Sequence, residues 1–107
     1  MKAKLVVPRR QADEDVDRAA DFYLREAGPD IALAFVHSVE HSYAQISRLS
    51  GTGSPRYAES LEITGLRFWK AKKFPYLIFY VDIGSHIEIL RVLHERMDVP
   101  AWIGNDE

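Results

Sequence analysis

Residues 74–96, FPYLIFYVDIGSHIEILRVLHER, decide the fold. Residues 76–83 form an almost unbroken apolar and aromatic run, Gly84 and Ser85 interrupt it, and residues 86–94 are again rich in branched side chains; this is the pattern of a strand, a turn and a strand. A two-residue turn with glycine first suits the II′ geometry, whose twist matches that of the flanking strands. The pairing that follows sets Ile83 opposite His86, Phe79 opposite Leu90 and Ile78 opposite Arg91. Side chains alternate across a sheet, so Leu77, Phe79, Val81, Leu90 and Val92 are expected on one side and Tyr76, Ile78, Tyr80, Ile87, Ile89 and Leu93 on the other. Arg91 interrupts that second side. Both sides are largely apolar, so each needs a cover.

The whole chain bounds what that cover can be. Its 107 residues suit a single domain, 1–107, with one core. Apolar residues make up 47% and charged residues 28%, values of an ordinary soluble globular protein. No apolar run approaches the roughly 18 residues that span a bilayer, and the first ten residues lack a signal-peptide core, so the expected location is the cytoplasm with no membrane partner. Without cysteine there are no disulfides, thiolate chemistry or cysteine zinc sites. A net charge of −2 argues against nucleic-acid binding through overall charge, and no direct sequence-specific contact with nucleic acid is expected. The distribution is polarised, however. Residues 13–26 hold six acids against two arginines, while residues 67–73 hold four basic residues and no acid. That pattern describes either two solvated faces or an acidic contact surface and a basic one.

Upstream of the hairpin, residues 2–7 read as a short first strand ending at Pro8, with Arg9 and Arg10 at its exit. Asp13 suits the N-cap of a helix that continues to about Glu26, with Gly28 and Pro29 as its stop. At about 100° per residue, Val16, Ala19, Ala20, Tyr23, Leu24 and Ala27 share one stripe, opposite Glu14, Asp17, Arg18, Asp21 and Arg25. Phe22 lies off the stripe, as a rim contact or an exposed anchor for a partner. Asp30 opens a second helix to about Leu49, whose buried side is Ala32, Phe35, Val36, Val39, Tyr43, Ile46 and Leu49, with Ser42 among them. Joined by Gly28 and Pro29, the two make an antiparallel hairpin. Residues 51–56 are a loop by composition, residues 61–63 suit an extended piece, and residues 66–71 read as a strand with Phe68 and Trp69 on opposite faces. The tail MDVPAWIGNDE carries one apolar group, Val99, Ala101, Trp102 and Ile103.

The resulting class is α+β, in the order β-α-α-β-β-β: a helix hairpin on one face of a small, mainly antiparallel sheet. The first strand is expected at an edge, beside the last or the central strand. The other face is expected to stay partly open, with Tyr76, Tyr80 and Arg91 on it.

Several stretches together resemble the ParE-type toxins of bacterial toxin–antitoxin pairs, within the RelE/ParE superfamily. They are Ala12 with Asp15 and Val16, Pro29 with Ala32 and Phe35, Leu66 with Arg67, and above all PYLIFYVD at 75–82 and LRVLHERMDVPAW at 90–102. The resemblance spans nearly the whole chain. It implies a small toxin held inactive by a ParD-like antitoxin, with no cofactor. ParE-type toxins of this kind act on DNA gyrase and stall it on cleaved DNA, whereas RelE-type relatives cut messenger RNA in the ribosome. RNA cleavage needs clustered Lys and Arg with a Tyr or His, to activate a 2′-hydroxyl and stabilise a pentacoordinate phosphate. Aligned on the shared strands, this chain keeps Arg67 and Arg96 where RelE-type toxins are basic. It has Trp69 and Tyr76 at two other such positions, and Trp102 in place of the C-terminal tyrosine. An indole cannot exchange a proton with a phosphate ester, so the resemblance favours a non-catalytic, gyrase-directed toxin. The alternatives are a ribosome-dependent ribonuclease using Arg67, Arg91, Arg96 and His94, and an antitoxin-binding module without toxicity.

The expected target surface comprises Arg67, Trp69, Lys70, Lys72, Arg91, His94, Arg96 and Trp102. The expected antitoxin contacts are Val16, Phe22, Tyr23 and Tyr80, in a groove or sheet edge beside the acidic first helix that accepts an amphipathic helix or an added strand. Arg91 also has a purely structural reading, as a guanidinium paired with an acid such as Asp17, Asp21 or Asp98. Trp102 has one as well, sealing an edge of the sheet. The segment from His37 to His41, HSVEH, matches the HxxEH pattern of inverted zinc peptidases. Its histidines fall outside the core stripe of their helix, and no third ligand or walled cleft is evident, so no metal site is assigned.

Overall fold

The computed structural model describes residues 3–104. Its elements are β1 (Leu5–Pro8), α1 (Arg10–Ala27), α2 (Pro29–Leu49), β2 (Arg67–Lys70), β3 (Tyr76–Asp82), β4 (His86–His94) and α3 (Val99–Gly104), with a single 3-10 turn at Ser50–Thr52. The four strands form one mixed sheet in the order β1-β4-β3-β2, in which β1 runs parallel to β4 and the other pairs are antiparallel. The first strand is thus an edge beside the last, as expected; Lys2, expected within it, lies outside the described residues.

Gly28 joins the helices at φ 94°, a backbone that glycine adopts without strain, and Pro29 occupies the first helical position of α2, where its missing N–H costs nothing. Asp13 does not cap α1. The helix begins three residues earlier, at Arg10, with Arg9 as an N-cap that makes no side-chain bond, so Asp13 stands in the first turn, where its charge suits the helix dipole. The helices cover one sheet face. Phe35, Val39 and Ile46 pack with Ile78, Tyr80, Ile87 and Ile89, and Tyr23 and Phe74 enclose Phe35 and Tyr76 in an aromatic cluster with centroid separations of 5.0–6.3 Å. Leu24 and Leu49, expected on the buried stripes, are exposed instead, each lying in the last turns of its helix.

Two corrections concern the hairpin. The expected pairing holds from the turn to Tyr80 opposite Ile89, then slips by one: Phe79 faces Arg91 and Ile78 faces Val92, so Leu90 is an extra residue in β4. This bulge reverses the alternation beyond it. Val92 therefore joins the helix-covered side and Leu93 the opposite one, the reverse of an unbroken register. The second correction concerns the face expected to be open. That face, the side of Tyr76 and Tyr80, is the one the helices cover, and the opposite side is closed as well, by Leu77, Phe79, Leu90 and Leu93 packing against Leu66, Val99 and Ile103, with Tyr57, Leu61 and Ile63 around them. Residues 61–63 form no strand, and residues 61 and 62 lie in a turn. Tyr76 and Tyr80 lie under the helices, 8% and 0% exposed. Phe68 and Trp69 do point to opposite faces. No helix among the described residues is long and apolar enough to cross a membrane.

Candidate functional site

The bulge that breaks the register also builds the most unusual polar feature of the molecule. With two residues of β4 opposite Phe79, Arg91 leaves the sheet alternation and meets Asp15 of α1. Arg91 Nε and Nη2 donate to the two carboxylate oxygens at 2.8 Å each, and the Val92 backbone N–H donates to Asp15 Oδ2 at 2.9 Å. Both side chains are almost fully buried, at 7% and 4% exposure. A bidentate, fully hydrogen-bonded geometry is the one in which a buried ion pair recovers its desolvation cost. Arg91 Nη1 donates in addition to the Trp102 carbonyl at 3.1 Å, and its guanidinium stands 5.5 Å from the Trp102 ring centroid. One side chain thus ties α1, the bulged strand and the C-terminal helix together.

Beside this tie runs a groove along the flank of α1. One part, of about 420 Å³, is walled by Gln11, Glu14, Arg18, Arg91 and Trp102; an adjoining part of about 190 Å³ shares Asp15 and Arg18 and continues over Phe22, Tyr76 and Met97. Phe22 is 50% and Trp102 41% exposed, one on each part. The groove has an apolar anchor at each end and charge of both signs between them.

The structure gathers the expected site residues only in part. Arg91 and Trp102 adjoin the groove, and Val16 and Tyr23 pack half-buried at the base of α1. His94 stacks edge-on against Tyr76 at 5.2 Å, and its Nδ1 accepts the Arg96 N–H at 3.1 Å. Arg67 is elsewhere: it pairs with Tyr80 in the sheet and donates to the Gly53 carbonyl at 2.6 Å. Since Tyr80 and Tyr76 are four residues apart on β3 and Tyr76 pairs with His94, Arg67 and His94 are separated by about 13 Å along the strand direction alone. Trp69 is half-buried in the helix-side core, Lys70 forms an exposed ion pair with Glu95 at 3.3 Å, and Lys72 is exposed. Tyr80 offers no surface to a partner. Its hydroxyl donates to the Ser50 carbonyl at 2.6 Å, and burial raises its pKa above that of an ordinary phenol.

The acid that pairs with Arg91 is Asp15, not Asp17, Asp21 or Asp98. The signal was a spacing: Ala12, Asp15 and Ala19 recur at intervals of three and four and are the buried positions of α1, so Asp15 is an acid set between small apolar residues on the core-facing stripe. His37 and His41 are exposed, and among the described residues no group of three or more His, Asp or Glu could hold a metal ion.

Comparison with known proteins places these features in a family. Residues 6–99 match the family described as the ParE toxin of the type II toxin–antitoxin system, parDE. A solved structure described as the chromosomal ParDE TA system from P. aeruginosa has the same fold, with a TM-score of 0.72 and 24% identity over 86% of this chain and 96% of that one. No curated protein sequence matches the chain.

Proposed function

The chain belongs to the ParE toxin family, and we propose that it inhibits DNA gyrase by binding it and is held inactive by a ParD-like antitoxin. The observation that carries a binding rather than a cleaving mechanism is the dispersal of the basic side chains. Arg91 is committed to Asp15 and the Trp102 carbonyl, Arg67 to the Gly53 carbonyl, and His94 lies far from Arg67 on the same sheet. General acid–base cleavage of RNA needs such groups converging within hydrogen-bond reach of one phosphate.

Within this reading the groove beside α1 accepts the antitoxin, with Phe22 as its apolar anchor, Val16 and Tyr23 packed half-buried on the same helix, and the acidic outer face of α1 selecting a basic, amphipathic segment. The target surface is the C-terminal side, with the partly exposed Trp102, Arg96 and His94, extended by Lys70 and Lys72. Aromatic side chains with partial exposure beside charged groups are the usual anchors of such contacts. Arg91 acts there as a positioning residue for Trp102.

The experiment is a supercoiling assay with purified protein. Inhibition of gyrase with accumulation of cleaved DNA, relieved by the antitoxin and weakened by Trp102→Ala, is the expected result. Cleavage of ribosome-bound message with supercoiling untouched would overturn the reading in favour of a ribonuclease, and the absence of both activities would leave an antitoxin-binding module.

A further inference from the structure

The HxxEH segment has no part in that reading, yet its surroundings are specific. A cleft of about 340 Å³ opens between α2 and the β2–β3 turn, walled by His37, Ser38 and His41 on one side and Lys72, Lys73 and Phe74 on the other. No carboxylate lines it. Among the described residues neither Lys72 nor Lys73 forms an ion pair, whereas their neighbour Lys70 is bound to Glu95.

Ser38, Phe74 and the backbone of the turn hold the cleft in shape, and of the two histidines His41 lies 3.4 Å from Gln45 Nε2 through its Nε2. Ser38 Oγ donates to the Lys72 backbone carbonyl at 2.6 Å, fastening the turn to α2 while leaving the lysine side chain to project. Ala71 N–H bonds to the Tyr76 carbonyl at 2.9 Å, Tyr76 N–H to that of Phe74 at 2.8 Å, and the Phe74 ring is packed against Tyr23 and Phe35. Lys73 is held at φ 71°, a left-handed backbone that glycine or asparagine would adopt with less strain. Such strain persists where the surroundings over-determine the backbone.

We propose that this cleft binds a phosphate group. The histidine pair four residues apart would suit a metal ion in isolation, but two ammonium groups at the same opening repel a cation and attract an anion. Lysine binds phosphate as a point charge, and each imidazole adds an N–H donor when neutral and a charge when protonated. Four donors with no competing acid match the several acceptor oxygens of a phosphate better than the two of a carboxylate. The phosphate comes either free, as an inorganic or nucleotide group, or as one phosphodiester of a nucleic-acid backbone. The cleft shares Lys72 with the proposed target surface but needs neither gyrase nor the antitoxin, and its failure would leave the roles of Trp102, Arg96 and Phe22 untouched.

The test is an NMR titration of the full chain with inorganic pyrophosphate, a short DNA duplex and, as a carboxylate control, polyglutamate. Pyrophosphate is expected to give saturable shifts confined to His37, His41, Lys72 and Lys73. The double variant K72Q/K73N keeps the backbone anchor of the turn and suits its left-handed residue; it should weaken binding by about tenfold or more. H37Q/H41Q should weaken pyrophosphate binding as well, by a smaller factor than the lysine pair. Duplex binding whose log–log salt slope falls by about one for each lysine removed assigns a backbone phosphate; pyrophosphate binding without duplex binding assigns a free one. No saturable shift, a shift that survives K72Q/K73N in a variant with an otherwise unchanged amide spectrum, or polyglutamate binding as tightly as pyrophosphate would overturn the proposal.

Discussion

The two faces of the sheet are buried by covers of opposite kinds. On one side the helix hairpin inserts Phe35, Val39 and Ile46, and its backbone bonds are internal. On the other, residues 53–66 and a six-residue helix bring Leu66, Val99 and Ile103 to a comparable depth with almost no regular structure. An irregular cover has to find partners for its backbone groups outside itself. Here the sheet supplies many of them: Ser54 exchanges both backbone bonds with Phe68, Arg67 reaches the Gly53 carbonyl, and Arg91 reaches that of Trp102. The comparison teaches that a face can be closed without periodicity if side chains of the sheet hold the covering loops. Arg91 does so while also binding Asp15 beneath the helices, so one residue serves both covers.

Cutting that link should therefore have the largest effect. Asp15→Ala strands a buried guanidinium and leaves the Val92 N–H without its carboxylate, and is expected to cost about 3–5 kcal/mol in denaturant unfolding. Replacing both partners together by apolar residues should cost much less, and a single-variant loss below about 1 kcal/mol would separate the two covers. The two cores themselves follow, at comparable or smaller cost. Phe35→Ala under the helices should cost about 3–5 kcal/mol and Leu66→Ala under the loop about 2–5 kcal/mol, since both side chains are fully buried. A Leu66→Ala cost well below that range would show that the irregular cover collapses into the space left behind.

The same contrast explains what could be read from the sequence. The helical cover was legible because Phe35, Val39 and Ile46 repeat at helical spacing, and the hairpin because apolar density and Gly84 leave few alternatives. The loop cover was not. Tyr57, Leu61, Ile63 and Leu66 are spaced irregularly among glycine, proline and serine, so nothing distinguishes a loop that packs from one that does not. The bulge at Leu90 was equally hidden, because both sides of the hairpin are largely apolar and a shift of one residue leaves each side apolar; for the same reason the pattern does not say which side the helices cover, and Tyr80 was expected on an open face. Family resemblance supplied the fold but not the local geometry: the pairing of Asp15 with Arg91 depends on the bulge.

A smaller perturbation tests how the loop joins the helical side. Gly53 has no Cβ, and one placed there would overlap the Tyr80 hydroxyl and crowd the Phe68 carbonyl. Gly53→Ala is expected to displace Tyr80 from the Ser50 carbonyl and destabilise by about 1–3 kcal/mol. Tyr80→Phe, which removes that bond without overlap, should cost about 0.5–1.5 kcal/mol. If the two variants were equal, the close approach at Gly53 would carry no strain beyond the hydrogen bond.

The smallest effect should come from the exposed counterpart of the buried pair. Asp82, at the end of β3, accepts bonds from Lys4 Nζ at 2.8 Å, Ser50 Oγ at 2.6 Å and the Gly84 N–H at 2.9 Å, and these, led by Lys4, lower its pKa to about 2. A carboxyl group whose folded pKa lies below its unfolded one contributes stability that is present above the unfolded value, near about 4, and is lost as pH falls toward about 2. Asp82→Asn should therefore flatten part of the acid limb of stability between those values while costing under about 1 kcal/mol at neutral pH, since solvent screens the pair. Glu88, lowered by Arg9 and His86, leaves a residual acid sensitivity in that variant. Asp82 accepts at least as many hydrogen bonds as Asp15, yet its loss should be several times cheaper. Equal costs for the two variants would mean that hydrogen-bond number, rather than burial against the bulge, sets the strength of the link between the covers.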